Sequence, residues 1–157
     1  MGATIRQARI HDVPVLCSLV CQYWRFEQIA GFDQERISAL LRVILTEPQY
    51  GSLWLALEGD RAVGYLVAVH LLSLEKGGRV AEIDELYVSE LHRGKGIGAA
   101  LLSAVEQSLL AQGFRNVALQ IARTNQAARD FYCARGYAAR AGYELLDKDL
   151  DGQEIHN

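Results

Sequence analysis

The alternation of apolar and polar positions divides the chain into short strands and amphipathic helices. Thr4 to Ile10 alternates with period two and predicts a first strand. Val13, Leu16, Cys17, Val20, Cys21 and Trp24 recur at helical spacing, so a helix is expected to about Phe26, with Asp12 as N-cap and Pro14 in its first turn. Gly31 interrupts the chain. Asp33 then caps a second helix with Ile37, Leu40, Leu41 and Ile44 on one face, ended by Pro48 and Gly51. Leu53–Leu57 and Ala62–Leu72 read as strands around a Gly59-Asp60 turn, and Gly77-Gly78 marks a second hairpin before Val80–Val88.

Beyond a glycine-rich segment, Ile97, Ala100, Leu101, Ala104, Val105, Ser108 and Leu109 form one helical face closed by Gly113. Val117–Ile121 predicts a buried strand. Thr124 or Asn125 opens a short helix that Gly136 ends, and Tyr137–Arg140 with Tyr143–Leu150 reads as a closing pair of strands. The order β-α-α-β-β-β-α-β-α-β-β makes this an α/β chain (an α+β mixed sheet covered by helices), expected as a single domain over 1–150 with a polar tail at 151–157.

Composition excludes several functions. The 157 residues are 50% hydrophobic, enough for a sizeable core, and the net charge of −3 leaves no basic footprint for nucleic acid. Cys17, Cys21 and Cys133 lack zinc spacing and the four histidines are scattered, so no metal is expected. Cys17 and Cys21 fall on the first helix among its apolar positions and read as core thiols. The N-terminus has no signal core and no run reaches membrane-spanning length, making a cytoplasmic location without membrane association the expectation.

The chemistry concentrates after Val88, where Arg93-Gly94-Lys95-Gly96-Ile97-Gly98-Ala99 opens a helix. Amides at a helix start have no helical acceptor, the helix dipole adds partial positive charge, and glycines let an anion approach the backbone. The segment is therefore a cradle for a phosphate. It is not a nucleoside-triphosphatase loop, because Gly94-Lys95 is followed by Gly96 rather than a hydroxyl residue. It is not a full dinucleotide fingerprint, because Ala99 stands where the third glycine would.

Arg93-x-x-Gly96-x-Gly98 resembles the pyrophosphate loop of the GNAT superfamily of acetyl-CoA-dependent acyltransferases. Asn125-x-x-Ala128-x-x-Phe131-Tyr132-x-x-x-Gly136-Tyr137 is similar to a second segment of that family, and the element order agrees along nearly the whole chain. The resemblance implies an N-acetyltransferase that moves acetyl directly from acetyl-CoA to a primary amine. Arg93, Gly94, Lys95, Gly96, Ile97, Gly98 and Ala99 would hold the pyrophosphate by backbone amides. Leu86, Tyr87 and Val88 would run beside the pantetheine arm, although by themselves they read as core. Asn125 would contact that arm, Ala128 would leave it room, and Tyr132 would protonate the departing thiolate.

An alkylammonium must lose a proton before it attacks, and Glu82, Asp84 and Glu85 supply carboxylates on the strand leading into the loop. Strict alternation puts Glu82 and Asp84 on one face and Glu85 on the other, which makes Glu82 the first candidate base and Asp84 the second. The same acids could simply solvate an exposed strand face. Paired carboxylates suit a small cationic amine of polyamine or aminoglycoside type. The alternatives are a protein N-terminus or lysine as acceptor, a non-catalytic acyl-CoA sensor, or a nucleotide-phosphate binder. Cys133 beside Tyr132 has no evident histidine partner, so a covalent thiol intermediate is not expected. His70 reads as structural. Dimers are common in the family, and a homodimer is compatible with the resemblance.

Overall fold

The computed structural model describes residues 2–151 and places them in two compact units, one running through Gln120 and the other from Ile121. The first is a five-stranded sheet in the order β1-β2-β3-β4-β5: β1 (Thr4–Gln7), β2 (Gly51–Glu58), β3 (Arg61–Ser73), β4 (Gly78–Val88) and β5 (Asn116–Leu119). The first four pair antiparallel and β5 joins β4 in parallel, giving a mixed sheet.

Helices α1 (Val13–Phe26) and α2 (Gln34–Thr46) bury Val13, Leu16, Val20, Ile37 and Leu41 with Leu53, Leu55, Tyr65, Val67 and Tyr87 of the sheet. Helix α3 (Ile97–Ala111) buries Leu101, Leu102, Val105 and Leu109. It ends as expected, with Gly113 left-handed (φ +88°) and Phe114 N–H donating to the Leu109 carbonyl. Asp33 caps α2 as expected, its Oδ1 accepting from Arg36 N–H at 3.0 Å.

Several boundaries differ from the sequence expectation. β1 stops at Gln7, because residues Ile10–Asp12 turn into a short 3-10 segment. Asp12 precedes α1 but its carboxylate caps nothing in that helix; it is buried, bonded by Arg6 at 2.8 and 3.0 Å and by Arg9 N–H at 2.7 Å. Leu40 is 53% exposed, rotated off the α2 stripe. β5 ends at Leu119, short of Ile121.

The second unit contains α4 (Gln126–Cys133), capped by Asn125. The expected closing strands are not formed among the described residues. Ala138 to Leu150 is irregular, with a turn in which Tyr143 N–H donates to the Arg140 carbonyl at 3.1 Å. Apolar alternation requires a hydrogen-bonded neighbour to become a strand, and here Tyr143, Leu145, Leu146 and Leu150 are exposed. Of the polar tail expected at 151–157, all but Asp151 lies outside the described residues.

Candidate active site

Strand β4 pairs with β5 over a short stretch. The parallel ladder runs from Val80↔Asn116 to Ile83↔Leu119 and stops there. From Glu85 to Val88, β4 keeps its β3 partners but has no strand on the β5 side among the described residues. That edge presents free backbone amides and carbonyls, as a bound peptide-like arm would require.

A β-bulge reorganises the carboxylates. Val67 opposes Glu85 while the adjacent Ala68 opposes Ile83, so Asp84 is the extra residue. The bulge inverts the alternation expected from sequence. Glu82 opposes Val69 and Glu85 opposes Val67, so these two share the face on which Tyr65 and Tyr87 meet α1. The expected pairing of Glu82 with Asp84 on a flat face, and the exclusion of Glu85 from it, are both corrected by this one residue.

The three acids have different environments. Glu82 Oε1 accepts from Gln120 Nε2 at 3.0 Å. Glu85 is held at both oxygens, by Trp24 Nε1 at 2.8 Å and by Tyr65 Oη at 2.8 Å. Desolvation raises the Glu85 carboxyl above its usual range and the neighbouring Asp84 adds to the rise, while the two donors oppose it. The same burial, with Glu85 beside it, pushes the Tyr65 phenol upward. Asp84 has no hydrogen bond among the described residues, and desolvation raises its carboxyl too. The Trp24–Glu85–Tyr65 cluster was missed because Trp24 fits the core stripe of α1; its indole N–H was the available signal.

The glycine segment has the geometry of an anion cradle. Gly94 and Gly96 are left-handed at φ +78° and +80°, a region that disfavours side chains. Gly96 is the N-cap of α3, and the first helical bond is from Ala100 N–H to its carbonyl at 3.0 Å. The six amides from Gly94 to Ala99 therefore have no acceptor among the described residues. Ile97 is buried and anchors the turn. The side chains of Lys95 and Arg93 are engaged elsewhere. Lys95 Nζ lies 3.5 Å from Glu58 Oε1, and the Arg93 guanidinium stacks 4.1 Å from the Phe26 ring centre, with Nε donating to Val88 O at 2.9 Å.

In the second unit, Asn125 Oδ1 accepts from Ala128 N–H at 3.0 Å, so the asparagine oxygen is engaged as the α4 cap. Tyr132 is half-buried, edge-to-face with Phe131 at 5.0 Å and with Tyr137 at 5.5 Å. Desolvation raises its phenol, which keeps it protonated at neutral pH and makes it a weaker acid. Cys17, Cys21 and Cys133 are free thiols, and His70 is bonded to Ser52 at 2.8 Å and packed on Phe114. No group of three or more metal-ligating side chains occurs among the described residues, and no described helix is long and apolar enough to cross a membrane.

A mixed sheet whose fourth strand runs on past the end of the fifth into an amide-lined glycine turn has the layout of an acyltransferase fold. The Acetyltransferase (GNAT) family pattern matches residues 15–137, and the chain belongs to that family. It is 33% identical over 88 residues to N-acetyltransferase 8F1 of Rattus norvegicus, which covers 56% of this chain and 40% of the relative. It is 29% identical over 139 residues to the uncharacterized N-acetyltransferase YhfO of Bacillus subtilis, covering 88% and 92% of the two chains. An integron cassette protein from the mobile metagenome of Cole Harbour Salt Marsh superposes with a TM-score of 0.83 at 31% identity, covering 93% of this chain and 90% of that one. The chain spans under half the length of the rat N-acetyltransferase 8 relatives it matches.

Proposed function

We propose that this chain transfers acetyl from acetyl-CoA directly to the primary amine of a small cationic acceptor, of polyamine or aminoglycoside type. The observation that carries this reading is the row of six unpartnered amides from Gly94 to Ala99 at the end of a strand whose free edge bears Asp84. Backbone at Arg93–Ala99 holds the pyrophosphate, and Leu86, Tyr87 and Val88 offer their edge to the pantetheine amides. Asn125 keeps its amide N–H groups available for the same arm, with Ala128 beside it.

Asp84 is the favoured proton acceptor. A β-bulge turns it out of the ladder, it has no competing hydrogen bond, and desolvation moves its carboxyl toward neutrality, where a base accepts protons more readily. Glu82 adds negative charge for a cationic acceptor. The amine loses a proton to Asp84 and attacks the thioester carbonyl carbon. The carbon–sulfur bond breaks, Tyr132 supplies a proton to the departing thiolate, and the second proton lost by the acylated nitrogen restores the phenol. The phenol is the weaker acid, so the transfer to the thiolate is uphill and relies on placement of the donor.

Coenzyme A release measured across polyamines, aminoglycosides, amino acids and peptide N-termini tests the reading. Release with a cationic small amine supports it. Release with peptides alone selects a protein acceptor, and tight acetyl-CoA binding without release from any acceptor selects a sensor.

A further inference from the structure

A cleft lies on the flank of α1, adjoining the glycine cradle at Arg93 and the β4 edge at Tyr87. Its volume is about 530 Å³, and α1, the start of β3 and the turn after β4 enclose it. Each of these elements contributes one arginine: Arg25, Arg61 and Arg93. Glu90 is the carboxylate among the lining residues. His92 also lines it, but its Nε2 faces Glu58 at 3.5 Å. A chain with net charge −3 thus gathers an excess of guanidinium charge in one concave place.

These arginines are not consumed by the fold. Arg25 and Arg61 are exposed and make no hydrogen bond or ion pair among the described residues. Converging like charges raise the local potential, and this is offset when an anion joins them. Arg93 is fixed in advance. Its guanidinium carbon lies 4.1 Å from the Phe26 ring centre and 5.5 Å from that of Tyr87, and Nε donates to Val88 O at 2.9 Å. Stacking and that bond orient the group while its Nη donors stay available, an arrangement suited to bidentate recognition of a planar or tetrahedral oxyanion.

We propose that this cleft is a binding site for a small molecule carrying carboxylate or phosphate groups, held by Arg25, Arg61 and Arg93. A ligand with several such groups matches three guanidiniums better than a monoanion. The adjoining acetyl-CoA cradle is made of backbone amides rather than of guanidiniums.

The test is calorimetric titration of citrate, and separately of inorganic phosphate, into the full chain saturated with acetyl-CoA, with chloride of equal ionic strength as control. Binding of either anion but not of chloride is expected, and the stronger of the two identifies the favoured oxyanion. The Arg25→Ala/Arg61→Ala double variant should weaken it at least tenfold, with an unchanged melting temperature and unchanged acetyl-CoA affinity. Anion binding that survives in the double variant, that chloride reproduces, or that acetyl-CoA abolishes overturns the proposal. Acetyl-CoA affinity is measured on its own, so failure of the cradle reading shows as absent acetyl-CoA binding while the anion result stands.

Discussion

The indole N–H of Trp24 donates to Glu85 Oε2 at 2.8 Å, joining α1 to the middle of β4 across 61 positions of sequence. Tyr65 holds the other carboxylate oxygen at the same distance. Both donors favour the ionised acid against desolvation, so Glu85 is kept in one orientation one residue from the bulge.

Removing either donor pushes the Glu85 carboxyl further up. Tyr65→Phe or Trp24→Phe should shift its titration to higher pH, read by carbon-13 NMR of the side-chain carboxyl. Tyr65→Phe should also cost about 1.5–3 kcal/mol of stability in denaturant unfolding, the range for a hydrogen bond to a charged group.

Asp84 carries a raised folded-state pKa from desolvation. Its contribution to stability is therefore greatest below its unfolded pKa, near 4, and falls as pH rises through the folded value. Asp84→Asn should be slightly more stable than the parent at pH 7, the gain disappearing below about pH 4 in urea unfolding across pH. If Asp84 is the base, the same variant lowers turnover and removes the acid limb of the pH–rate profile. Unchanged turnover assigns the role elsewhere.

Asp12 has the opposite sign. The Arg6 hydrogen bond, opposed by desolvation and aided by Arg9 N–H, lowers its carboxyl to about 2. Its stabilisation is present above the unfolded value and lost as pH falls toward about 2. Asp12→Asn should cost about 2 kcal/mol at pH 7 and progressively less below about pH 4, read by urea unfolding across pH.

The cradle is tested by charge. Gly98→Asp places a carboxylate among the unpartnered amides and should reduce acetyl-CoA affinity at least tenfold in calorimetry, with the circular dichroism spectrum retained. Parent-like affinity in this variant would remove the pyrophosphate assignment.

Tyr132→Phe keeps the ring contacts with Phe131 and Tyr137 and deletes only the hydroxyl. If Tyr132 is the acid, kcat should drop by about 10- to 100-fold with acetyl-CoA KM nearly constant, the pattern of a group acting in the transition state. A rise in KM alone would mean a binding role.

Local sequence determined much of this protein. Helix faces, the Asp33 and Asn125 caps, the left-handed Gly59, Gly77, Gly96 and Gly113, and the cradle follow from short-range stereochemistry, which a few neighbouring residues specify. The resemblance carried by Arg93–Gly98 and Asn125–Tyr137 led to the family that residues 15–137 match. Tertiary structure decided what depends on partners distant in sequence. The bulge at Asp84 arises from the register of β3 against β4, and a one-residue slip reverses which acids share a face. Asp12 pairs with Arg6 and accepts from Arg9 N–H instead of capping α1 with its carboxylate. The apolar alternation after Tyr137 formed no strand, since a strand is specified by its neighbour as much as by its own residues.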